Sequence, residues 1–269
     1  MKTLWAIAMT AFLAGCVEGQ FFYPDNVDYG SPRAAGLAHE DVFIDAPGGA
    51  RLHGWWLAAT VPAKATVLHL HGNAANVSNH LPLVAWLPSR GYHVLMVDYR
   101  GFGKSAGKPT LNGVVEDARA ALAWLRAHRR TPIVVLGQSL GGATALRAVA
   151  ADPADVKLLV VDSAFASYRG IARDALGMLR WPAEPALQML PGTADDPVTA
   201  AAALSVPVLV IHGTADGVIP LSHGQALHAA AREPRQWLQV EQGSHLDALA
   251  REPVRRRVLD AMDRAVAAP

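Results

Sequence analysis

The sequence has a single cysteine, few charged residues and few aromatic residues. With one cysteine among 269 residues, no disulfide can form within the chain. Lys and Arg together number 24 against 23 Asp and Glu, and no run of like charge stands out, so the basic stripe typical of a nucleic-acid-binding protein is missing. Charged residues make up 17% of the chain and hydrophobic residues 51%, which excludes an intrinsically disordered protein. We therefore expect a folded protein with a large core and no nucleic-acid partner.

Residues 1–15 are expected to be a targeting segment, a lipoprotein signal peptide, and not part of the fold. Lys2 gives a short positive start, and residues 4–14 form an apolar run that is too short to span a bilayer. The run ends in Leu-Ala-Gly-Cys at residues 13–16, which resembles the lipobox of bacterial lipoproteins. That resemblance implies cleavage before Cys16 and a lipid on its sulfur, so that acyl chains hold an exported domain at a membrane surface of the cell envelope.

Two alternatives stay open for this segment. It could be an ordinary secretory signal with an incidental cysteine, or a buried N-terminal helix. For a lipoprotein, an Asp after the cysteine would favour retention in the inner membrane of Gram-negative cells. The chain has Val17 there, so the outer membrane is favoured as the location.

Residues 16–40 are predicted to form a tether and lead-in. Prolines and glycines at positions 24, 30, 32 and 36 interrupt any regular period. The aromatic cluster Phe21, Phe22 and Tyr23 has two interpretations: packing on the edge of the domain, which we favour, or contact with a membrane.

From residue 41 to residue 269 the chain is predicted to be one domain of alternating strands and helices. Strand patterns at 41–45 and 51–57 flank a Pro-Gly-Gly turn, which is typical of an antiparallel hairpin. Nearly continuous apolar runs, which suit strands buried on both faces of a parallel sheet, follow at 66–70, 93–97, 133–136, 158–161 and 208–211. An edge strand is expected at 237–240, and helical patterns are found at 114–128, 140–150, 223–231 and 246–267, the last broken or bent near Pro253. This alternation indicates an α/β fold with a mostly parallel, doubly wound sheet and a leading antiparallel hairpin.

Residues 163–204 interrupt this alternation because they contain no strand pattern. The segment is long for a plain connection, and we interpret it as a small helical cap over the carboxyl edge of the sheet. The alternative is one ordinary crossover helix with an irregular tail, and at least one crossover helix is required in either case. Met178, Trp181 and Met189 are candidates for lining an acyl pocket, although packing between cap and core explains them equally well.

The pattern Gly-x-Ser-x-Gly at residues 137–141 lies between a predicted strand and a predicted helix. In that context the pattern presents a serine nucleophile, here Ser139, on a sharp turn. Gly137 and Gly141 leave room for the turn, and the N-terminus of the following helix places N–H groups beneath developing negative charge.

A serine nucleophile needs a base and an acid, and two later loops supply candidates. His245 lies between the last predicted strand and the last helix, and Asp216 follows the strand at 208–211. The order Ser139, Asp216, His245 is that of the α/β-hydrolase fold, and the three loops are expected at the same edge of one sheet. Asp162, at the end of the preceding strand, is an alternative acid.

An oxyanion hole needs two backbone N–H donors. One is expected from Leu140, the residue after the nucleophile. The other is expected from Asn73, in the loop after the strand at 66–70, where Gly72 allows a tight turn.

Other polar residues have structural interpretations. His69, His71 and His212 suggest a metal cluster, but no carboxylate or cysteine completes a ligand set at a useful spacing, so no metal is expected. Asp98 and Arg100 are expected to fix the loop after their strand by an ion pair or turn hydrogen bonds. Asp247 is expected to cap the final helix.

Several motifs taken together resemble the α/β-hydrolase superfamily and, within it, the BEM46-like serine hydrolases of the ABHD13 and ABHD17 type. They are His-Gly-Asn-Ala at 71–74, Asp-Tyr-Arg-Gly-Phe-Gly-Lys-Ser at 98–105, Gly-Gln-Ser-Leu-Gly-Gly at 137–142, His-Gly-Thr-Ala-Asp at 212–216 and Gly-Ser-His at 243–245. The motifs cover roughly residues 41–250. In this family the residue after the catalytic histidine is often Asn, whereas this chain has Leu246.

The resemblance implies a serine hydrolase that cleaves carboxylic esters or thioesters through a Ser-His-Asp triad and an acyl-enzyme, without a metal or organic cofactor. Its expected partner is a small acyl-ester or thioester substrate. Two alternatives stay open: a serine peptidase that uses the same triad, and a catalytically silent binding module in the envelope.

Overall fold

Eight strands form one sheet in the part of the chain that the computed structural model describes, residues 18–177 and 180–268. The strands of this sheet are β2 His39–Ala46, β3 Ala50–Leu57, β4 Ala65–Leu70, β6 Tyr92–Val97, β7 Ile133–Gln138, β8 Val156–Asp162, β9 Val208–Gly213 and β10 Arg235–Val240. Two shorter strands, β1 Tyr23–Pro24 and β5 Ala74–Ala75, pair with each other outside it. The order across the large sheet is β10-β9-β8-β7-β4-β6-β3-β2.

The sheet is mostly parallel, with an antiparallel hairpin at one edge. Strands β2 and β3 pair antiparallel, with Ile44 opposite Leu52, and β3 also pairs antiparallel with β6. The remaining neighbours in the sheet are parallel. The predicted α/β fold, with its leading hairpin and doubly wound parallel sheet, is confirmed.

The central strands are apolar throughout because both faces of the sheet are covered. Along β7, Val134 and Leu136 belong to one core cluster, whereas Ile133 and Val135 belong to the other. Alternate residues of a strand point to opposite faces, so a strand between two helical layers needs an apolar residue at every position. This explains why the parallel strands were recognisable as continuous runs.

The helices flank this sheet on both faces. Their bounds are α1 Val77–Val84, α2 Gly113–His128, α3 Leu140–Ala151, α4 Tyr168–Leu176, α5 Arg180–Leu187, α6 Pro197–Ala203, α7 Leu221–Ala230 and α8 Glu252–Ala267. Helix α1 was not predicted. The Asn76 side chain accepts a hydrogen bond from the Ser78 N–H and so caps its first turn, a signal present in the sequence.

The end of the chain differs from two predictions. The final helix begins at Glu252, after a short 3-10 turn. Pro253 lies in its first turn, where a backbone N–H has no acceptor within the helix, so the missing N–H of proline costs no hydrogen bond. The break therefore coincides with the helix start. Asp247 does not cap this helix; its carboxylate accepts hydrogen bonds from Arg251 at 2.8 Å and from the Ser244 hydroxyl at 3.1 Å.

The described residues between β8 and β9 form helices. Helix α6 packs against α3 and α7, as a crossover helix must. Helices α4 and α5 pack on each other and are joined by an ion pair between Arg173 and Glu184. His223 of α7 attaches α4 to the domain, because one ring nitrogen contacts Asp174 at 2.8 Å and the other accepts the Ala166 N–H at 3.0 Å.

The lead-in lies against the domain from Glu18 onward. Phe22 is buried and stands edge-on to Phe102, with ring centroids 6.3 Å apart. Phe21 packs against Phe165 and the first residue of α4. Tyr23, by contrast, is 58% exposed. The packing interpretation of the aromatic cluster therefore holds for its first two members.

The predicted signal peptide and its cysteine, Cys16, lie outside the described residues. Within the described ranges, no helix combines the length and the apolar composition needed to cross a membrane.

Candidate active site

Ser139 occupies a strained turn between β7 and α3. Its φ of 55° and ψ of −119° are unusual for a residue with a side chain. A Cβ on Gly137 would lie 2.4 Å from the Gly141 carbonyl oxygen, and one on Gly141 would lie 2.0 Å from the Leu70 carbonyl oxygen. The two glycines are therefore required, because the turn brings backbone against backbone at both positions.

His245 joins Ser139 to Asp216. One ring nitrogen, Nε2, lies 3.2 Å from the Ser139 hydroxyl oxygen, and the other, Nδ1, lies 2.8 Å from a carboxylate oxygen of Asp216. A proton on Nδ1 is donated to the carboxylate, which leaves Nε2 free to accept the serine proton. The three side chains that the sequence singled out are thus brought together in the order that general-base catalysis needs.

The Asp216 carboxylate is buried and fully hydrogen-bonded. Its second oxygen accepts the N–H groups of Val218 and Ile219, each at 2.9 Å. Burial alone would raise the pKa of Asp216, but the hydrogen bonds from His245 and the two N–H groups outweigh burial and hold the pKa below its ordinary value. The group therefore stays ionised and can orient an imidazolium.

The loops that carry Asp216 and His245 are joined to each other. They follow β9 and β10, which are parallel neighbours, so both begin at the same edge of the sheet. The Ala215 N–H donates to the Gly243 carbonyl at 2.9 Å, and the Gln242 N–H donates to the Thr214 hydroxyl at 2.8 Å. This backbone contact fixes the distance between acid and base independently of their side chains.

Asp162, the alternative acid, has other partners. Its carboxylate accepts hydrogen bonds from Gln138 at 2.9 Å and from the Ser163 hydroxyl at 3.1 Å, whereas His245 bonds to Asp216. Burial raises the pKa of Asp162 to about 6, although these hydrogen bonds oppose the rise. The structure thus places Asp162 beneath the nucleophile turn and gives the base a different acid.

The two candidate oxyanion donors belong to segments that flank the nucleophile. Leu140 is the first residue of α3 and follows Ser139 directly. A Cβ on Gly72 would lie 3.7 Å from the Ser139 Cβ, so the loop that carries Asn73 passes beside the nucleophile. His71 fixes this loop, because its Nδ1 donates to the Gly72 carbonyl at 2.8 Å.

Asp98 holds the same loop from beneath. Its carboxylate accepts the Val77 N–H at 2.8 Å and lies 3.4 Å from Nε2 of His71 and 3.8 Å from Nδ1 of His53. Burial opposes ionisation, but the two histidines outweigh it and lower the pKa of Asp98. Sequence reasoning missed His53, because nothing in the local pattern of β3 distinguishes it.

Arg100 pairs with a different partner from the one beside it in sequence. Its guanidinium binds the buried Asp117 carboxylate of α2 at 2.8 Å, and its backbone N–H donates to the same group. Asp98 and Arg100 were predicted to fix this loop together. Each does so with its own partners, Asp98 with Val77 and His71 and Arg100 with Asp117.

The buried histidines are core residues. Nε2 of His69 contacts Gln138 at 2.9 Å, and burial lowers the pKa of His69 to about 4. Burial, together with His71 and His69, lowers the pKa of His80 to about 3. His212 donates from Nε2 to the Ile219 carbonyl at 2.9 Å. In the described part of the chain, no group of three His, Cys, Asp or Glu side chains is arranged to hold a metal ion.

The candidate pocket residues are only partly described. Met178 lies outside the described residues. Trp181 lies in α5, but its side chain is outside the described part. Met189 lines a surface groove of about 220 Å³ together with residues that include Glu18 and Asn112. Neither Ser139 nor Asp216 nor His245 borders that groove. The acyl pocket therefore remains a prediction.

Comparison with known sequences gives relatives along most of the chain. Residues 61–192 match the family described as serine aminopeptidase, S33. The uncharacterized protein YfhR of Salmonella typhi is 40% identical over 255 residues, which cover 86% of this chain and 81% of that protein. The α/β hydrolase domain-containing protein WAV2 of Arabidopsis thaliana is 31% identical over 232 residues, which cover 81% of this chain and 75% of that one.

Solved structures with the same architecture come from other organisms. The Pyrococcus furiosus esterase Pf2001 superimposes with a TM-score of 0.75 at 23% identity, covering 91% of this chain and all (100%) of that one. Est1E from Butyrivibrio proteoclasticus, solved with ferulic acid bound, gives a TM-score of 0.73 at 21% identity, covering 84% of this chain and 100% of that one. At these identities the likeness establishes the fold.

Proposed function

This chain belongs to the α/β-hydrolase superfamily, and we propose that it is a serine hydrolase that cleaves carboxylic esters or thioesters of apolar acids. The observation that carries the proposal is the position of His245, whose two ring nitrogens lie 3.2 Å from the Ser139 hydroxyl and 2.8 Å from the Asp216 carboxylate. A nucleophile, a base and an acid in hydrogen-bond contact are the parts that acyl transfer needs.

In the proposed reaction, the Ser139 oxygen bonds to the acyl carbon while Nε2 of His245 takes its proton. The N–H groups of Asn73 and Leu140 stabilise the resulting oxyanion. The bond to the alcohol or thiol then breaks, the leaving group takes the proton from His245, and the acyl group stays on Ser139. Water attacks this acyl-enzyme, passes a proton to His245, and the acid departs as Ser139 regains its proton. Asp216 orients and stabilises the charged ring throughout.

The test is hydrolysis of a p-nitrophenyl ester series, from acetyl to palmitoyl, by the whole chain in detergent. We expect Ser139→Ala to lower kcat by about 10⁴-fold or more. The matched control is Ser89→Ala, at an exposed serine, which should leave the rate unchanged. Equal rates in the wild type and Ser139→Ala would refute the role of this serine. No turnover together with no labelling by a fluorophosphonate would favour the silent binding module.

A second candidate is a serine peptidase, because the family matched over residues 61–192 is described as a serine aminopeptidase. The two candidates differ in the bond that is cleaved. Aminoacyl p-nitroanilides, assayed beside p-nitrophenyl esters of the same acids, separate them. An esterase should hydrolyse the esters only, whereas a peptidase should release p-nitroaniline from the anilides in the wild type and not in Ser139→Ala.

We further propose that the chain is a BEM46-like hydrolase anchored to the envelope through a lipid on Cys16, with the outer membrane favoured. The sequence Leu-Ala-Gly-Cys at 13–16 supports the anchor. Expression in a Gram-negative host with an alkyne-labelled fatty acid should label the wild type and not Cys16→Ser. Fractionation of the two membranes then tests the location.

A further inference from the structure

The lead-in forms a strand against the loop that carries the candidate oxyanion donor. The Tyr23 N–H donates to the Asn73 carbonyl at 2.8 Å. From there Tyr23 pairs with Ala74 and Pro24 with Ala75, in parallel. The end of the loop beside Ser139 is therefore one strand of a small ribbon, and its other strand comes from a segment that precedes the large sheet.

This pairing completes the support of Asn73. The N–H of Asn73 and the carbonyl of Gly72 lie on one planar peptide unit, so the bond from His71 Nδ1 to that carbonyl, at 2.8 Å, sets the direction of the N–H. The next peptide unit begins with the Asn73 carbonyl, which the Tyr23 N–H holds. Both peptide units beside the Asn73 Cα are thus fixed, one by the core and one by the lead-in.

The lead-in is itself firmly attached on both sides of this contact. Before it, Phe22 is buried against Phe102. After it, the Asp25 carbonyl accepts the Gly103 N–H at 2.9 Å, and the Asp25 side chain accepts a hydrogen bond from the Asn76 amide at 2.9 Å. A strand held at both ends can restrain the loop that it pairs with.

We propose that Tyr23 is a positioning residue, which acts through its backbone N–H to hold the Asn73 N–H toward the oxyanion. Its ring is 58% exposed, so the side chain contributes little to the contact. The inference rests on the proposed function. Because negative charge develops on the acyl oxygen only in the transition state, loss of this support should lower kcat and leave KM almost unchanged.

The test removes the backbone N–H of residue 23 and leaves strand β1 in place. In Tyr23→Pro the N–H is lost, whereas Tyr23→Ala keeps it and removes the exposed ring. Position 23 precedes Pro24 and already has extended backbone, which a proline tolerates. For p-nitrophenyl ester hydrolysis we expect Tyr23→Pro to lower kcat about tenfold, a fraction of the full loss of one oxyanion donor, with KM within about twofold. Tyr23→Ala should match the wild type.

The possible failures are separable. An active wild type with an equally active, folded Tyr23→Pro overturns this inference alone, as does an equal loss in Tyr23→Ala. An inactive wild type overturns the proposed function and this inference with it. Should Tyr23→Pro not fold, hydrogen exchange of the wild type decides. A phosphoryl adduct on Ser139, which places an oxygen in the oxyanion site, should slow exchange of the Tyr23 amide, and unchanged exchange refutes the coupling.

Discussion

The backbone N–H of Ser139 donates to the backbone carbonyl of Asp162 at 2.8 Å. Asp162 therefore supports the nucleophile turn through its main chain, while its carboxylate bonds to Gln138 and Ser163. Asp216, in the loop after the next strand, β9, accepts a hydrogen bond from Nδ1 of His245. Two acidic residues at one sheet edge thus have different surroundings, and replacing each should give a different result.

Asp216→Asn and Asp162→Asn should separate the proposed catalytic acid from the structural one. An amide at position 216 can present its NH₂ to His245 and favour the wrong tautomer, so we expect kcat to fall by about 10⁴-fold. At position 162 the main-chain contact with Ser139 is retained, and kcat should stay within a few-fold of the wild type. Steady-state ester hydrolysis measures both. The reverse pattern would make Asp162 the acid.

The free energy of unfolding should depend on pH in a way that reflects the raised pKa of Asp162. In the fold, burial raises its pKa from 3.8 to about 6, so between these values the folded chain binds more protons than the unfolded chain. The contribution of Asp162 to the free energy of unfolding therefore falls as pH rises from about 4 to 6, by on the order of 3 kcal/mol. Asp162→Asn lacks this effect.

Urea unfolding at pH 4 and at pH 7 measures the effect. The free energy of unfolding of Asp162→Asn, relative to that of the wild type, should increase between the two pH values. The two proteins differ only in the carboxyl group at position 162. Because all other titrating groups are present in both, their contributions cancel in the difference. A constant difference between variant and wild type would contradict the raised pKa.

Gly137→Ala should disrupt the nucleophile turn. The added methyl group would lie 2.4 Å from the Gly141 carbonyl oxygen, a backbone atom that cannot move without shifting α3. We expect a loss of roughly 1–3 kcal/mol of stability and most of the activity. The control is Gly192→Ala, because a Cβ there has no neighbour within 4 Å. Thermal melts and ester hydrolysis of both variants check the prediction, which fails if the two behave alike.

Leu246, directly after the base, has the left-handed φ of 61°. Asn adopts this conformation more readily than Leu, so the Asn that the BEM46-like resemblance implies at this position would be less strained. We expect Leu246→Asn to raise stability by up to about 1 kcal/mol and to leave kcat/KM unchanged. Leu246→Val, with a branched Cβ, should lower the melting temperature. Equal melting temperatures for the two variants would show that backbone strain is unimportant there.

The sequence was sufficient to predict the sheet, and it singled out the three side chains that the structure brings together at His245. Strands such as β7 and β9 are buried on both faces, so their apolar runs follow from their position. The Gly-x-Ser-x-Gly turn is recognisable because it lies between a predicted strand and a predicted helix. Helix α1 was missed because it is short, contains Pro82 and carries polar residues, although its Asn76 cap was visible.

Contacts between distant segments could not be predicted. The pairing of Tyr23 with Ala74 involves two residues on each side and leaves no periodic pattern. The contact of His223 with Asp174 is equally invisible, because each residue lies on an ordinary helix. Such contacts depend on where tertiary packing places the elements, and a local sequence pattern carries no information about them.

If the proposed lipid anchor exists, the docking of the lead-in limits how far the sheet edge that carries Ser139 can lie from a membrane. The Glu18 side chain accepts the N–H of Leu111, which precedes α2 at the carboxyl edge of the sheet. If Cys16 carries the proposed lipid, only Val17 lies between it and Glu18, so the two residues are at most about 7 Å apart. The domain would then rest with its catalytic edge close to the headgroups, within reach of acyl esters at the bilayer surface.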